Sequence, residues 1–311
     1  MPSELRRSVS RGEGAVEQVV TGVTRVPILF VNAYMVGDPD GPWVLVDTGL
    51  SHTARWVRAA VQARYGAGAR PEAIILTHGH FDHAGAALEL ATDWDVPIYA
   101  HPLELPYLTG RSDYPPQDPT LGGAIAMMSR FFPSSGYDFG ERVLPLPEDG
   151  TVPGLSEWRW IHTPGHAPGH VSLFRDADRT LIAGDAVATM DMDSWTSQVT
   201  RKQEFDRPPA PFTPDWEAAR RSVRMLAALE PSAVAAGHGV PIVGARAGEL
   251  LGLAERFPAP QKGRYALHAA RTNEEGVVGL PLPVPDRLPF RLAGAALFTA
   301  AAAVAFRRWK K

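Results

Sequence analysis

The chain has 311 residues, of which 45% are hydrophobic and 21% charged, values that suit a globular protein with a large core. A formal net charge of −3 argues against a nucleic-acid-binding protein, which would concentrate basic residues on one face. The absence of cysteine excludes disulfide bonds and thiolate ligands to a metal.

The first predicted elements are strands that lead to an aspartate. β-Branched and apolar residues between positions 16 and 36, with Gly22 and Pro27 as breaks, predict two strands, the second over residues 30–36. Residues 43–46 predict a third strand. Asp47 follows this third strand. It either starts a turn or points into the cleft where strands end, where it would orient a metal-bound histidine. Ser51 is predicted to cap a helix that runs to about position 65.

Three histidines and an aspartate follow the next apolar run, residues 73–76, which predicts a buried strand. His78 and His80 project to the same side of an extended segment, so they suit one metal ion. Asp82 and His83 lie at the start of a predicted helix and suit a second ion beside the first. Imidazole and carboxylate together bind zinc and similar cations without a thiolate. This H-x-H-x-D-H pattern therefore predicts a metal site.

The middle of the chain is less regular. The helix after the histidine motif is predicted to reach residue 94, and residues 96–100 predict another strand. Within the segment 102–140, residues 121–132 predict a helix with an apolar face. That face either belongs to the core or forms a wall of a substrate pocket.

The second half supplies further candidates. Residues 158–162 predict a strand that leads to His166, which Gly and Pro hold in a tight loop, and to His170. We interpret His166 as a metal ligand and His170 as a supporting residue, although the spacing alone allows either to bind a metal. Asp185 ends the next predicted strand, and His238 follows another over residues 233–236. A helix between them is predicted to start at Thr213-Pro214-Asp215, with Thr213 as its cap and Pro214 at its first position, and to end near residue 229.

These elements form a degenerate repeat. A strand that ends at Asp47, a helix and a strand that ends at His78 are matched by a strand that ends at Asp185, a helix and a strand that ends at His238. The repeat predicts two packed sheets flanked by helices, with metal ions at the seam between them.

Five motifs in this order resemble the metallo-β-lactamase superfamily over residues 16–253: Asp47-Thr48-Gly49, His78-Gly79-His80-Phe81-Asp82-His83, Pro164-Gly165-His166, Gly184-Asp185 and Gly237-His238. The resemblance implies an α+β fold, a four-layer αβ/βα sandwich of two mixed β-sheets flanked by helices. It also implies a dinuclear site. The first ion would be bound by His78, His80 and His166 and the second by Asp82, His83 and His238, with Asp185 bridging both.

The motifs also indicate which branches of this superfamily the chain resembles. With Asp185 as the bridge and no cysteine, the site resembles acyl-homoserine lactonases and hydroxyacylglutathione hydrolases (glyoxalase II) more than the true zinc β-lactamases. His80 stands where flavodiiron proteins carry a glutamate, which disfavours a di-iron, oxygen-reducing role. Lactonases of this type have a tyrosine shortly after the bridging aspartate. This chain has residues 188–191 there without one, which disfavours a homoserine-lactone substrate.

The resemblance implies a dinuclear metal-dependent hydrolase that cleaves an ester, lactone or thioester bond by attack of a metal-bound hydroxide. Asp82 and Asp185 would be its catalytic residues, with Asp82 relaying a proton to the leaving group. Asp47 and His170 would support the ligands. The expected cofactors are two divalent ions, Zn²⁺ first, with Mn²⁺ or Fe²⁺ as alternatives. The alternative function is a mononuclear iron persulfide dioxygenase of the same fold, with its iron on a set of three residues: His78, His166 and Asp185.

The expected partner is a small-molecule substrate whose identity the sequence does not indicate, and no oligomeric state is indicated either. Trp195, Phe205, Phe212 and the proline-rich residues 207–211 follow Asp185 in the chain. They either line the substrate pocket or pack on the surface.

Four regions are predicted: a flexible N-terminus (1–14), the catalytic domain (15–275), a proline-rich linker (276–289) and an apolar C-terminal helix with a basic end (290–311). Residues 292–306 are uncharged and apolar on every side, so this helix either contacts a membrane or docks on protein. Residues 1–20 contain charges and no apolar core, which predicts no signal peptide. We therefore expect a cytoplasmic protein, with membrane association through the C-terminal helix as one alternative.

Overall fold

The computed structural model describes residues 16–288 of the chain. The predictions of a flexible N-terminus over 1–14 and of an apolar helix over 290–311 lie outside the described residues. The chain divides into two compact units, Met1–Pro281 and Leu282–Lys311. Only residues 282–288 of the second unit are described, and most of them are exposed.

The first sheet contains seven strands in the order β1-β2-β3-β4-β5-β6-β7. Strands β1 to β4 pair antiparallel, and β4 to β7 pair parallel. The strands are β1 (Glu17–Val20), β2 (Val23–Ile28), β3 (Val31–Gly37), β4 (Trp43–Val46), β5 (Ile74–Ile75), β6 (Ile98–Ala100) and β7 (Val143–Pro145).

The second sheet contains six strands in the order β13-β12-β11-β10-β9-β8. Strands β11 and β12 pair parallel, and the other neighbours pair antiparallel. The strands are β8 (Thr151–Val152), β9 (Leu155–His162), β10 (Val171–Arg175), β11 (Thr180–Gly184), β12 (Ala233–Ala236) and β13 (Ile242–Val243). A separate antiparallel hairpin joins β14 (Arg271–Asn273) to β15 (Gly276–Gly279).

The described residues form helices α1 (Ala54–Tyr65), α2 (Phe81–Ala84), α3 (Ala87–Trp94), α4 (Leu105–Leu108), α5 (Ala124–Met128), α6 (Trp195–Thr200), α7 (Trp216–Ala228) and α8 (Leu250–Glu255). Helices α1 and α3 cover the outer face of the first sheet, and α7 and α8 cover that of the second. Val57 of α1 and Leu90 of α3 pack in the core under the first sheet, and Val223 of α7 packs in the core under the second.

A third core lies between the two sheets. In β4, Leu45 faces the helices whereas Val44 and Val46 face the other sheet, where Leu173 and Ile182 meet them. This alternation follows from the two-residue period of a strand that is buried on both faces. The predicted αβ/βα sandwich with two mixed sheets is confirmed.

Matching parallel pairs position the strand ends. β4 pairs with β5 through Leu45 and Ile74, and β11 pairs with β12 through Leu181 and Val234. The two pairs correspond to the two halves of the predicted repeat. Because the carboxyl ends of parallel strands lie at the same edge of a sheet, each pair delivers its aspartate and its histidine to one edge.

The N-terminal strands differ from the prediction. The structure has three strands where two were predicted, and Pro27, expected to be a break, lies inside β2. The pairing of β2 with β1 ends at Glu17 and Arg25, so no strand on that side needs an N–H group from Pro27.

Three predictions about helix ends are wrong. The N-cap residue of α1 is Thr53, and the Ser51 hydroxyl donates to the carbonyl of Gly85 instead. The single helix predicted after the histidine motif is broken into α2 and α3, because the backbone leaves the helical conformation at Ala86. Next to this break, Gly85 lies so close to the backbone of Ser51 that a Cβ atom would collide there. The N-cap residue of α7 is Asp215, whose carboxylate accepts from the N–H of Ala218, and not Thr213.

The predicted linker over 276–289 starts later in the structure, because residues 276–279 pair with β14. Among residues 16–288, no helix combines the length and apolar character needed to cross a membrane.

Candidate metal centre

The seven predicted ligands meet at the seam between the sheets. Their side chains form three overlapping groups, and within each group the candidate ligand atoms lie within 4.8 Å of one another. The groups are His78 with His80 and His166, His78 with His83 and Asp185, and Asp82 with His83 and His238. Six of the seven side chains are buried and His80 is partly buried.

In the first group, His80 Nδ1 lies 2.9 Å from His166 Nε2. The outer nitrogens of the other two rings have fixed partners. His78 Nδ1 lies 3.1 Å from the Thr77 hydroxyl, which itself donates to Asp47. We infer that His78 Nδ1 carries the hydrogen and that its Nε2 lone pair faces the centre.

His166 is fixed in the same way. Its Nδ1 lies 3.3 Å from the Thr213 hydroxyl, whose own hydrogen goes to the carbonyl of Pro209. Thr213 was predicted as a helix cap, and the structure uses its hydroxyl to orient this imidazole. The Nε2 lone pair of His166 is therefore directed towards the centre.

The second group is oriented by two different acceptors. His83 Nδ1 lies 2.8 Å from Asp47 Oδ2, and His238 Nδ1 lies 2.8 Å from the carbonyl of Phe30. The other oxygen of Asp47 accepts from the N–H of Thr77. Asp47 therefore contacts His83 as its predicted supporting role requires.

Asp185 lies between the two groups. Its Oδ1 is 3.4 Å from His83 Nε2, and its Oδ2 is 3.1 Å from His238 Nε2 and 3.4 Å from His166 Nε2. Gly237 makes room for this carboxylate, because a Cβ atom at that position would collide with Asp185 Oδ1. Asp185 thus faces both candidate groups at once.

His170 is buried beside the centre but has a different role. Its Nε2 accepts from the backbone N–H of Asp185 at 2.9 Å, and its Nδ1 lies 2.8 Å from the Thr163 hydroxyl. Both ring nitrogens are therefore engaged with the chain. This arrangement favours the supporting role for His170 over the alternative that it binds a metal.

The three histidines of the first group are neutral. Burial, and then the neighbouring imidazoles, hold the pKa values of His78 and His166 well below the usual range and lower the pKa of His80 to about 3. Neutral imidazole is the form that binds metals.

In the second group, neighbouring carboxylates raise the pKa values of the histidines, whereas burial would lower them. Burial alone would lower the pKa values of His83 and His238, but Asp185, with Asp47 or Asp82, holds both above the usual range. Burial alone would raise the pKa of Asp185, yet His238 and His83 hold it well below its usual range. Asp185 is therefore ionised.

These residues fit a pair of divalent ions. Among the described residues, the buried His78 Nε2 has no hydrogen-bond partner, and His83 Nε2 and Asp185 Oδ1 have only their mutual contact at 3.4 Å. Leaving such atoms unpaired destabilises a protein unless a ligand satisfies them. A donor set of imidazole nitrogen and carboxylate oxygen suits zinc, manganese or iron.

Sequence reasoning missed Asn32, which holds the loop that carries His238. The buried Asn32 amide donates to the carbonyls of Ala236 at 2.9 Å and Gly239 at 2.8 Å, and its backbone N–H donates to Gly237. An asparagine inside an apolar strand was the available signal, since this residue is depleted in strands.

Glu104 was also missed. This fully buried carboxylate accepts from the backbone N–H of Gly79 at 2.9 Å and of Gly169 at 2.7 Å, and from the hydroxyl of Tyr114. Gly79 lies between His78 and His80, and Gly169 precedes His170, so Glu104 joins the ligand loops of the two halves. Burial raises the pKa of Glu104 to about 7.

A cleft opens onto the cluster, with about 290 Å³ of empty space when the solvent at its mouth is included. Ile125 and Phe132 of the segment 102–140 line it, and so do Pro209 and Phe212. Residues predicted with them behave differently: Phe131 and Trp195 are exposed, and Phe205 packs against the core under the second sheet. Each of the two segments therefore supplies some of the pocket wall and some surface.

Comparison with known proteins agrees with this geometry. A family profile described as the metallo-beta-lactamase superfamily matches residues 26–238. The chain is 47% identical over 234 residues to the probable metallo-hydrolase YflN of Bacillus subtilis (strain 168), which covers 74% of this chain and 89% of that protein. A hydroxyacylglutathione hydrolase of Acidiphilium cryptum (strain JF-5) is 28% identical over 287 residues, 92% of this chain and 93% of that protein.

Solved structures support the fold. A metallo-beta-lactamase family protein from Thermus thermophilus is similar with a TM-score of 0.53 at 21% identity, over 77% of this chain and 80% of that chain. At this level of identity the likeness concerns the fold alone.

Proposed function

The chain belongs to the metallo-β-lactamase superfamily of metallo-hydrolases, and on that premise we propose that it is a dinuclear hydrolase of esters, lactones or thioesters. The observation that carries the proposal is the position of Asp185, whose carboxylate contacts His166 of the first group of donors and both His83 and His238 of the second. A mononuclear enzyme would not need the second group.

The first ion would be held by His78, His80 and His166, and the second by Asp82, His83 and His238, with Asp185 shared. When bound, a pair of divalent ions lowers the pKa of water and polarises an acyl carbonyl. Zn²⁺ is the cofactor we propose first, with Mn²⁺ and Fe²⁺ as alternatives.

The chain supplies the remaining requirements. Buried partners fix the imidazole rings in orientations that leave Nε2 inward in four of them, so the donors are preorganised. The cavity walls restrict water around a bound substrate. Asp82 lines the cavity with Oδ2 3.5 Å from His238 Nε2, and we assign it the transfer of a proton to the leaving group.

The acyl class is supported by the relative from Acidiphilium cryptum, a hydroxyacylglutathione hydrolase, because its similarity extends over 92% of this chain. It supports thioester hydrolysis as one member of the class. Residues 188–191, which follow Asp185, include no tyrosine of the kind that homoserine lactonases have there. A homoserine lactone is therefore a less favoured substrate than the other esters and thioesters.

The test is metal content of the purified protein together with turnover of a panel of small esters, lactones and thioesters. We expect two divalent ions per chain and hydrolysis of at least one class. One iron per chain, with no hydrolysis and with oxygen consumption in the presence of a persulfide, would contradict the proposal and favour a dioxygenase.

A further inference from the structure

The cavity beside the centre has walls and a floor of opposite character. Its floor is formed by candidate ligands: His80, Asp82, His166, Asp185 and His238. Its walls are entirely apolar: Phe30, Phe81, Ile125, Phe132, Pro209 and Phe212.

Phe132 contacts three other aromatic residues of the walls. Its ring centroid lies 5.0 Å from that of Phe81, 5.9 Å from that of Phe30 and 6.3 Å from that of Phe212. These three rings come from separate segments of the chain. Phe132 therefore closes one continuous aromatic surface, and Ile125, 4% exposed, extends it.

The walls offer nothing to an anionic substituent. Within residues 16–288 no lysine or arginine lines the cavity. The guanidinium of Arg130 is directed to the carbonyls of Ala126 and Pro119, and that of Arg207 to Asp193 and the carbonyl of Pro258. The faces of aromatic rings carry partial negative charge, so a substrate carboxylate held against these walls, away from the floor of candidate ligands, would lose water without gaining a counter-charge from the walls.

We propose that this pocket selects a compact, uncharged, apolar acyl or aryl group next to the bond that is cleaved, and that Phe132 determines this selectivity. The inference rests on the proposed hydrolase function for the bond that is cleaved, but the pocket's preference can be measured without turnover. It disfavours substrates that hold a carboxylate against the apolar walls.

A matched pair of esters tests the inference. 4-Nitrophenyl butyrate and 4-nitrophenyl hemisuccinate share a leaving group and a four-carbon acyl chain, and only the second ends in a carboxylate. We expect the metal-loaded wild-type protein to prefer the butyrate in kcat/KM by on the order of tenfold. Phe132→Lys should bring a cation into the pocket and shift this ratio towards the hemisuccinate by about tenfold.

The neighbouring residue provides the matched control. Phe131 is 84% exposed and does not line the cavity, so Phe131→Lys adds the same charge next to the pocket and should leave the ratio within about twofold. Equal ratios in the two lysine variants, or a wild-type protein that hydrolyses both esters equally, would overturn the inference.

Binding measurements separate the two proposals. Calorimetry with N-phenylbutanamide and N-phenylsuccinamic acid should show tighter binding of the neutral amide, and Phe132→Ala should weaken it. Such binding without turnover of any acyl substrate would support the pocket preference and refute the hydrolase. Turnover of both esters without selectivity would leave the hydrolase standing and refute the pocket preference.

Discussion

The two sides of the metal centre are built differently. The first side supplies His78, His80, Asp82 and His83 from one continuous segment, the loop after β5 and the helix α2, so the local chain already sets most of their relative positions. The second side supplies His166, Asp185 and His238 from three separate loops. Hydrogen bonds to distant residues support both sides, such as that of His83 to Asp47 on the first and that of Asn32 to the His238 loop on the second. Only the second side must bring three separate segments together. We call a hydrogen bond from a distant residue that holds a ligand or its loop a tether. We infer that metal binding is more sensitive to the loss of a tether on the second side than on the first.

The variant with the largest expected effect removes the carboxylate that contacts both groups of ligands. Asp185→Ala removes the carboxylate that faces both groups, so we expect loss of metal occupancy and a fall in turnover of more than about a hundredfold. Elemental analysis and kcat/KM measure this result. Asp176→Ala, an exposed carboxylate on the surface, should change neither. Two ions per chain and full turnover in Asp185→Ala would show that the carboxylate is not shared.

The next variant tests a tether on the second side. Asn32→Ala removes both amide donors to the loop that carries His238, so we expect metal affinity to fall by about 30- to 100-fold. Competition with a chromophoric chelator measures the dissociation constants. Asn273→Ala, in the β14–β15 hairpin, is the control and should retain the wild-type affinity. An unchanged affinity in Asn32→Ala would mean that the loop holds His238 unaided.

The corresponding variant on the first side should have a smaller effect. Asp47→Asn keeps one oxygen to accept from Thr77 but removes the charge beside His83, and we expect about tenfold weaker metal binding. The same chelator competition applies. If Asp47→Asn weakened binding more than Asn32→Ala does, the ranking of the two sides would be reversed.

Glu104 tests the connection between the sides. In Glu104→Gln, an amide N–H₂ replaces an acceptor opposite the N–H group of Gly79 or Gly169, so a buried donor is left unpaired. We expect metal binding weaker by several-fold to about tenfold and unfolding that is easier by about 1–3 kcal/mol. Tyr114→Phe removes only the hydroxyl group that donates to Glu104 and is the control. A smaller change is expected in both measurements.

The smallest expected effect concerns Asp206, which belongs to neither side of the metal centre, and the pH dependence of stability. Burial raises the pKa of Asp206 to about 6, above its usual value, so its folded form favours the proton and its contribution to stability is lost as the pH rises through 6. Asp206→Asn should therefore increase the free energy of unfolding at pH 8 by about 1 kcal/mol and have little effect at pH 4. Denaturant melts at the two pH values measure this, and metal affinity should not change.

Much of the centre could be predicted because its donors follow apolar strands. Asp47, His78, Asp185 and His238 each stand directly after a strand or within three residues of its end, and the resemblance to a known superfamily supplied the layer order. The parallel pairing of β4 with β5 and of β11 with β12 was implicit in the repeat.

The tethers could not be predicted in the same way. Glu104 acts on the backbone N–H groups of Gly79 and Gly169, and backbone donors have no signature in the sequence. Thr213 was read as a helix cap because the local pattern fits one, but its hydroxyl is engaged with His166 instead. Local propensity describes neighbours along the chain, whereas these contacts join segments far apart in it.

The hydrogen bond from Asn32 to Gly239 joins residues separated by 207 positions. A ribosome must therefore complete nearly the whole described chain before the second side can close on the first. The loop from His78 to His83 leaves the exit tunnel much earlier, with its imidazoles unprotected. Metal loading during biosynthesis should accordingly be ordered: an ion can meet the early loop first, and a stable pair forms only once the last strands have been delivered.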